Sequence, residues 1–194
     1  MNIAIFASGS GTNAENIVKY FSESAEISVK LIISNIKNAF VLERAKNLNV
    51  QSAYFGRDDF YKSENVLNLL ENEKIDLIVL AGFLWLVPEN LLKRFENRII
   101  NIHPALLPKF GGKGMYGMNV HKAVRAENEK ESGITIHYVN EKYDDGEIIF
   151  QASFSINEKD TPETIAEAVH KLEYEFYPMI IENVCCRLPD KVAR

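Results

Sequence analysis

This chain has few cysteines, no basic tract and no long apolar run, and each shortage excludes a class of protein. Its two cysteines, Cys185 and Cys186, are adjacent, which suits neither a zinc half-site nor a redox pair with two intervening residues. A net charge of −5 disfavours a nucleic-acid backbone as partner. No apolar run is long enough to span a bilayer or to serve as a secretory signal. We therefore expect a cytoplasmic protein with no metal site and no nucleic-acid or membrane partner.

What remains is the composition of an ordinary globular protein. The chain has 194 residues, of which 46% are apolar and 25% charged, enough to bury a sizeable core. It contains no repeat, no low-complexity segment and no Ser/Pro-rich linker that would mark a boundary. We predict a single domain over residues 1–194.

Hydrophobic periodicity predicts alternating strands and helices in the first half of the chain. The expected strands are residues 2–7, 29–33, 76–81 and 98–103, and the expected helices are residues 14–21, 39–48 and 58–72. Residues 76–81 are apolar on both faces, which is typical of a central strand in a covered parallel sheet. The first half therefore predicts repeated strand-helix units.

The pattern changes in the second half. Residues 133–139 and 147–154 resemble strands joined through the turn signal Asp145-Gly146, which favours antiparallel pairing. A helix is expected to begin at Thr161 and Pro162, a capping residue followed by a proline in the first turn. Its predicted inner stripe is Ile165, Val169, Leu172, Phe176 and Ile180. Together these elements predict an α/β fold, with a doubly wound (Rossmann-like) sheet that is mostly parallel and has an antiparallel portion.

A glycine-rich loop follows the first predicted strand. Residues 8–14 read Ser-Gly-Ser-Gly-Thr-Asn-Ala and match the Gly-x-Gly-x-x-Ala fingerprint, whose backbone amides approach a phosphate at a helix start. A dinucleotide site also needs an acidic residue at the end of the second strand, where this chain has Ser34 and Asn35. A simple phosphate site is therefore favoured, with a tight turn that binds nothing as the alternative.

The segment Asn101-Ile102-His103-Pro104 points to chemistry. In an extended strand Asn101 and His103 share one face, and Pro104 should end the strand. An amide donor can stabilise an oxyanion, and an imidazole can exchange protons near neutral pH. Together with a carboxylate these groups suffice for acyl-type transfer without a covalent nucleophile.

The carboxylate is expected from the loop around Asp144 and Asp145, and the residues alone do not choose between the two. Plain turn chemistry is the alternative for both. Of the four histidines, we interpret His121, His137 and His170 as surface or packing residues. His137 alternates along its strand with Thr135 and is also a candidate to support the site.

These motifs occur in an order that resembles the phosphoribosylglycinamide formyltransferases, a family of folate-dependent enzymes of purine synthesis. The resemblance rests on the loop at residues 8–13, on Leu-Ala-Gly-Phe at 80–83, on Asn-Ile-His-Pro-Ala-Leu-Leu-Pro at 101–108 and on Asp-Asp-Gly at 144–146. It covers essentially the whole chain. The motif at 101–108 is specific to enzymes that use 10-formyltetrahydrofolate, and the phosphate loop narrows the resemblance to the glycinamide ribonucleotide branch.

The resemblance implies roles for individual residues. Asn101 and His103 polarise the formyl carbonyl, and Asp144 is the catalytic aspartate, which we expect to keep His103 charged. Residues Gly11, Thr12 and Asn13 hold the ribonucleotide phosphate, and Glu173 contacts the glycinamide end, although a solvated helix charge is the alternative for Glu173. The phosphate-binding half would span about residues 1–100, and the folate-binding and catalytic half about residues 101–194.

The resemblance also implies a folate pocket. Its expected residues are Arg57, Leu84, Trp85, Leu86, Val87, Asn101 and Asn140. Trp85 stands where some relatives have arginine, and ordinary core packing is the alternative for Leu84, Leu86 and Val87. The glycines of residues 109–117 indicate a mobile flap over the substrates.

The expected reaction is transfer of a formyl group from 10-formyltetrahydrofolate, a co-substrate, to glycinamide ribonucleotide, without a metal. We expect a monomer or weak homodimer that binds small molecules. One alternative is another 10-formyltetrahydrofolate user, either a deformylase that transfers to water or a methionyl-tRNA formyltransferase. A dinucleotide-binding module is the alternative from a different class.

Overall fold

The computed structural model describes residues 1–188, and residues 189–194 of the predicted domain lie outside the described residues. Strands and helices alternate along the chain, as the periodicity predicted. The strands are β1 (Asn2–Phe6), β2 (Ser28–Ser34), β3 (Gln51–Tyr54), β4 (Leu77–Leu80), β5 (Ile99–His103), β6 (Glu131–Tyr138) and β7 (Ile148–Ser155). The helices are α1 (Thr12–Tyr20), α2 (Phe40–Asn47), α3 (Arg57–Lys62), α4 (Asn65–Asn72), α5 (Glu89–Arg94), α6 (Met118–Ala126) and α7 (Pro162–Arg187).

The strands form one seven-stranded sheet in the order β3-β2-β1-β4-β5-β6-β7. Strands β1 to β5 are parallel to one another, whereas β6 pairs antiparallel with both β5 and β7. This arrangement confirms the predicted doubly wound, mostly parallel α/β fold. The strand order reverses between β1 and β4, and the carboxyl ends of strands at such a switch point are where open α/β sheets bind ligands.

The two faces of the sheet bury separate halves of the core. Ile3 and Ile5 of β1 pack on the side covered by α1, α2, α6 and α7, while Ala4 and Phe6 pack on the side covered by α3, α4 and α5. All residues of β4 are buried. Strand β4 is apolar on both faces because both faces are covered by helices, as the sequence indicated. No helix of residues 1–188 is long and apolar enough to cross a membrane.

The predicted helix over residues 58–72 is wrong as one element, because it is broken at Ser63. Ser63 has extended backbone angles (φ −137°, ψ 168°). Its hydroxyl donates to the Asp59 carbonyl at 2.8 Å and accepts from the Asn65 amide at 3.2 Å. A serine side chain that bonds the backbone in this way competes with helix continuation. The break separates α3, which carries Arg57, from α4.

Elements β3, α5 and α6 have no counterpart among the sequence predictions. Strand β3 is a short sheet edge with mostly exposed side chains, so it shows no alternation of apolar and polar residues. Helix α5 has only six residues. The glycine-rich segment before Met118 hid the start of α6.

The capped start of α7 is confirmed, since the Thr161 hydroxyl accepts a hydrogen bond from the Thr164 amide at 3.3 Å. The predicted inner stripe is only partly right. The buried line continues from Ile165 and Val169 through Glu173, Tyr177 and Ile181, whereas Leu172, Phe176 and Ile180 lie beside it, half-buried. The buried line has a spacing of four residues, so it drifts around the helix away from the predicted stripe, which follows the period of 3.6 residues, and Glu173 interrupts its apolar character.

Candidate active site

The glycine loop connects β1 to α1 at the carboxyl edge of the sheet. Gly11 has φ 75° and a Cβ there would lie 2.3 Å from the Val41 Cγ2 atom, so only glycine fits the turn. The Val41 amide donates to the Gly9 carbonyl at 3.1 Å, and the Arg44 Nε donates to the Ser10 carbonyl at 2.8 Å. Helix α2 therefore holds the loop in place, with α1 beginning at Thr12.

At the end of β2, Asn35 occupies the position where a dinucleotide site has its acidic residue. The Ser8 hydroxyl donates to the Asn35 Oδ1 at 2.6 Å and accepts from the Leu84 amide at 2.9 Å. Asn35 is therefore used to join the ends of β1, β2 and β4. With no carboxylate there, the loop has the form of a phosphate site rather than a dinucleotide site.

Strand β5 presents Asn101 to a histidine on β6. Asn101 pairs with His137 in the antiparallel register, and the Asn101 Nδ2 lies 3.1 Å from the His137 Nε2. The His137 Nδ1 lies 2.8 Å from the Tyr138 carbonyl, to which it donates, so Nε2 is left as the acceptor of the Asn101 amide. Asn101 also donates towards the Asp144 Oδ1 at 3.4 Å.

His103 is buried at the end of β5 between a carbonyl and a carboxylate. Its Nε2 lies 2.8 Å from the Phe110 carbonyl, and its Nδ1 lies 3.5 Å from the Asp144 Oδ2. Because a carbonyl only accepts, Nε2 carries a proton and Nδ1 is the nitrogen that exchanges one. A proton on Nδ1 would lie beside Asp144.

The structure distinguishes the two aspartates by position. Asp144 adopts a left-handed conformation (φ 53°) and turns its side chain, 11% exposed, towards His103. Asp145 is 54% exposed and pairs with Lys142 at 3.3 Å. The tight packing of the next turn is visible at Gly146, where a Cβ would lie 1.7 Å from the Tyr138 carbonyl oxygen. Only Asp144 belongs to the cluster with Asn101.

Electrostatics correct the expectation that Asp144 keeps His103 charged. Burial lowers the pKa of His103 below its ordinary value, although Asp144 and the Phe110 carbonyl act in the opposite direction. Burial alone would raise the pKa of Asp144, but the neighbouring His137 and His103 rings and the Gly112 amide together hold that pKa below its ordinary value. The resting cluster is therefore a neutral imidazole beside an ionised carboxylate.

Residues 109–117 close over this cluster. The Gly112 amide donates to the Asp144 Oδ2 at 2.9 Å, and Phe110 provides the carbonyl that holds His103. A Cβ at Gly111 would lie 2.6 Å from the Leu107 side chain and 3.2 Å from the Asp144 Cβ. The loop packs directly on the side chains of His103 and Asp144, and its opening as a flap stays a prediction.

Glu173 connects α7 to the glycine loop. It is only 5% exposed, so its interpretation as a solvated helix charge is wrong. The Asn13 Nδ2 donates to the Glu173 Oε2 at 3.0 Å, and the His170 Nδ1 lies 2.7 Å from the same oxygen. His103 lies close enough for its pKa to respond to Glu173. The glycine loop and the Asn101 cluster therefore border one region.

The predicted folate residues are divided between a surface patch and the core. Arg57 lies over the rings of Tyr61 and Trp85, with its guanidinium carbon 5.4 Å and 6.0 Å from the ring centroids. Leu84 is exposed and Leu86 half-buried, whereas Val87 is 5% exposed and belongs to the apolar core. The Asn140 side chain accepts from the Lys142 amide at 2.9 Å.

Several site residues were not predicted as such from the sequence. His137 was only a possible supporting residue, on the basis of its alternation with Thr135, and His170 was assigned to surface or packing. Tyr61 donates to the Leu86 carbonyl at 2.9 Å and packs against Trp85, and its exposed helical position carried no signal.

Within residues 1–188, no group of three or more His, Cys, Asp or Glu side chains is arranged to hold a metal ion. Burial raises the pKa of the Cys185 thiol to about 12, so it is an inert packing residue.

An open parallel sheet with a glycine loop at its switch point, and an Asn-His-Asp cluster at the next strand end, defines an α/β enzyme that transfers a group. The sequence profile of the formyl transferase family matches residues 1–181, and the chain belongs to that family.

Its relatives include phosphoribosylglycinamide formyltransferases. That of Bacillus subtilis is 37% identical over 186 residues, which cover 93% of each chain. The chloroplastic enzyme of Arabidopsis thaliana is 38% identical over 189 residues, which cover 94% of this chain but 65% of that relative's length. The crystal structure of the Bacillus halodurans phosphoribosylglycinamide formyltransferase superimposes with a TM-score of 0.86 at 35% identity, covering 100% of both chains.

Proposed function

We propose that this chain transfers the formyl group of 10-formyltetrahydrofolate to the amine of glycinamide ribonucleotide, a step of purine synthesis. The products are formylglycinamide ribonucleotide and tetrahydrofolate. The observation that carries the proposal is the convergence of Asn101, His103 and Asp144 next to a phosphate-type loop to which Glu173 is hydrogen-bonded. The names of the relatives support it.

The acceptor would bind along the loop and α7. The backbone amides at Gly11, Thr12 and Asn13 lie at the start of α1, where the helix dipole favours a phosphate. Glu173, buried beside Asn13, is the carboxylate that would accept hydrogen bonds from the glycinamide end. Phosphate and amine would thus be held at two fixed points, which orients the nucleophile.

The donor would bind beside Trp85 and Arg57. The aromatic faces of Trp85 and Tyr61 suit a flat conjugated ring or its benzoyl neighbour, and the Arg57 guanidinium suits a carboxylate. Leu84, Leu86 and Asn140 would complete the pocket together with Asn101. Val87 supports it from the core rather than by contact.

The chemistry follows from an amide donor, the Asn101 Nδ2, and a titratable nitrogen, the His103 Nδ1, which both face the Asp144 carboxylate. The acceptor amine attacks the formyl carbon, a C–N bond forms and the carbonyl oxygen becomes an oxyanion. The Asn101 Nδ2 would stabilise that oxyanion, and so would the His103 Nδ1 once it has taken up the proton that the amine loses. The bond from carbon to the folate nitrogen then breaks, and the proton that the amine loses passes to that nitrogen. Asp144, ionised at neutral pH, is placed to relay the proton through water.

The decisive experiment offers purified protein a 10-formyl folate with glycinamide ribonucleotide and, separately, with water alone. Formation of tetrahydrofolate only in the presence of the ribonucleotide is the expected result. Equal rates with and without it would identify a deformylase and overturn the proposal. Saturable binding of NADH would instead favour a dinucleotide-binding module. The cytoplasmic location and the monomeric or weakly dimeric state stay predictions, which fractionation and sedimentation would test.

A further inference from the structure

Glu173 is held by two donors that act on the same oxygen. Its side chain is 6% exposed. Among the described residues, the Asn13 Nδ2 donates to the Glu173 Oε2 at 3.0 Å, and the His170 Nδ1 donates to the same oxygen at 2.7 Å. A buried carboxylate has acceptor capacity on both oxygens. Oε1 is therefore the oxygen left for a bound molecule.

His170 is itself fixed on the surface of α7. Its side chain is 54% exposed, and its ring stacks on that of Tyr174, with centroids 6.1 Å apart and planes inclined by 18°. The hydrogen bond to Glu173 raises the pKa of His170. A ring stacked on one side and bonded to the carboxylate at Nδ1 has little rotational freedom, so it fixes the Glu173 carboxylate in one orientation.

The hydrogen bond from Asn13 to Glu173 determines the orientation of the Asn13 side chain. Because its Nδ2 donates to Glu173, its Oδ1 must point the other way, where it is buried and has no hydrogen-bond partner in residues 1–188. A buried acceptor of this kind needs a donor. Since Asn13 lies in the first turn of α1, a molecule bound at the glycine loop would bring that donor.

We propose that His170 is a positioning residue for the acceptor substrate: by holding the Glu173 Oε2 against Asn13, it presents the Glu173 Oε1 and the Asn13 Oδ1 to N–H and O–H groups of an amine-bearing ribonucleotide. This inference rests on the proposed function and names a residue that acts without touching the reacting atoms. Other titratable groups around Glu173 are His103 on β5, His121 on α6 and Tyr177 on α7.

The kinetic test compares His170→Ala with His170→Asn. Alanine removes the donor, and a lost charge-assisted hydrogen bond should raise the KM for glycinamide ribonucleotide about tenfold, with kcat and the KM for the formyl folate within about twofold. The Asn Nδ2 lies where the His Nδ1 lies, so His170→Asn should recover most of the acceptor KM. Glu175→Ala, an exposed change on the same helix, should leave all three constants unchanged. A normal acceptor KM in His170→Ala would overturn the inference.

An NMR titration tests the contact without turnover. The chain has four histidines, so the His170 ring signals are assigned by their loss in His170→Asn. Glu173→Gln should lower the pKa of His170, and an unchanged value would refute the contact. The two proposals fail differently: an enzyme that does not formylate the ribonucleotide overturns the function and the acceptor role together, whereas an active enzyme indifferent to His170→Ala overturns the role of His170 alone.

Discussion

Replacing Asp144 by asparagine should slow turnover severely while leaving the fold intact. The substitution keeps the shape of the side chain and its ability to accept the Gly112 amide at 2.9 Å, but it removes the negative charge 3.5 Å from the His103 Nδ1. Asp144 is one of the groups that raise the pKa of His103 against the effect of burial. Without it, His103 holds a proton less readily when an oxyanion develops.

The size of the effect follows from the geometry. Two unit charges 3.5 Å apart attract by about 5 kcal/mol at an effective dielectric constant of about 20. Each 1.4 kcal/mol or so corresponds to a factor of about ten in rate. The asparagine dipole retains part of the attraction, so kcat should fall by about 100- to 1,000-fold, within the range expected for the loss of an acid-base group.

The measurement is kcat with both substrates saturating, from the absorbance change as the 10-formyl folate becomes tetrahydrofolate. Thermal unfolding should show a melting temperature close to that of the unchanged protein, so that lost activity reports chemistry. Asp145→Asn is the matched control, because Asp145 is 54% exposed and pairs only with Lys142 among the described residues; its kcat should be unchanged. An Asp144→Asn enzyme with kcat within about fivefold of the original would refute the role assigned to Asp144.

Two further predictions concern the loop and the pH dependence of stability. Gly11→Ala places a Cβ 2.3 Å from the Val41 Cγ2 and 2.5 Å from the Val41 Cβ at φ 75°, so strain and overlap of about 1–3 kcal/mol should lower the melting temperature by several degrees and raise the acceptor KM. Gly9→Ala, where the added Cβ meets no atom within 4 Å, is the matched control for stability and should leave the melting temperature nearly unchanged; an equal loss in both variants would contradict the steric cause. The folded-state pKa of His103 lies below its ordinary value of 6.5. The neutral ring therefore contributes folding stability above that pH, and this contribution is lost as the pH falls from 6.5 towards the folded-state pKa. The melting temperature relative to His103→Gln should therefore drop between about pH 7 and pH 5, and a constant difference would show that burial does not disfavour the charged ring.

The sequence predicted those parts of the fold in which one physical rule dominates. Strands β1 and β4 are buried on both faces, so their apolar runs are unambiguous. Short and exposed elements such as β3 and α5 have no such signal, because their existence depends on the elements they pack against. The break at Ser63 belongs to the same group, since a serine in a helical pattern is decided by its hydrogen bonds rather than by periodicity.

The site divides in a similar way. Asn101 and His103 were placed on one face of a strand by the two-residue period, and Ile100 and Ile102 indeed pack on the opposite side. The choice between Asp144 and Asp145 rested on the family resemblance. To choose between them from geometry, one must know that Asp144 adopts a left-handed turn and that residues 109–117 pack against it. Neither is visible in the sequence. The contact of His170 with Glu173 follows the i, i+3 spacing of a helix. Its connection to the site could not be predicted, because it depends on the hydrogen bond that Asn13 of α1 donates to Glu173.

His137 shows why pairing between distant strands completes the site. The antiparallel register sets Asn101 opposite His137 and His103 opposite Thr135, and a slip of one residue would turn His137 to the other face of the sheet. The β6–β7 pairing is irregular between Ile136 and His137, and such bulges commonly re-aim a side chain beside an active site. His137, 2% exposed, is held by the Asn101 amide at Nε2 and by the Tyr138 carbonyl at Nδ1. The orientation of Asn101, which we propose as an oxyanion donor, therefore depends on a strand register set by residues more than thirty positions away in the chain.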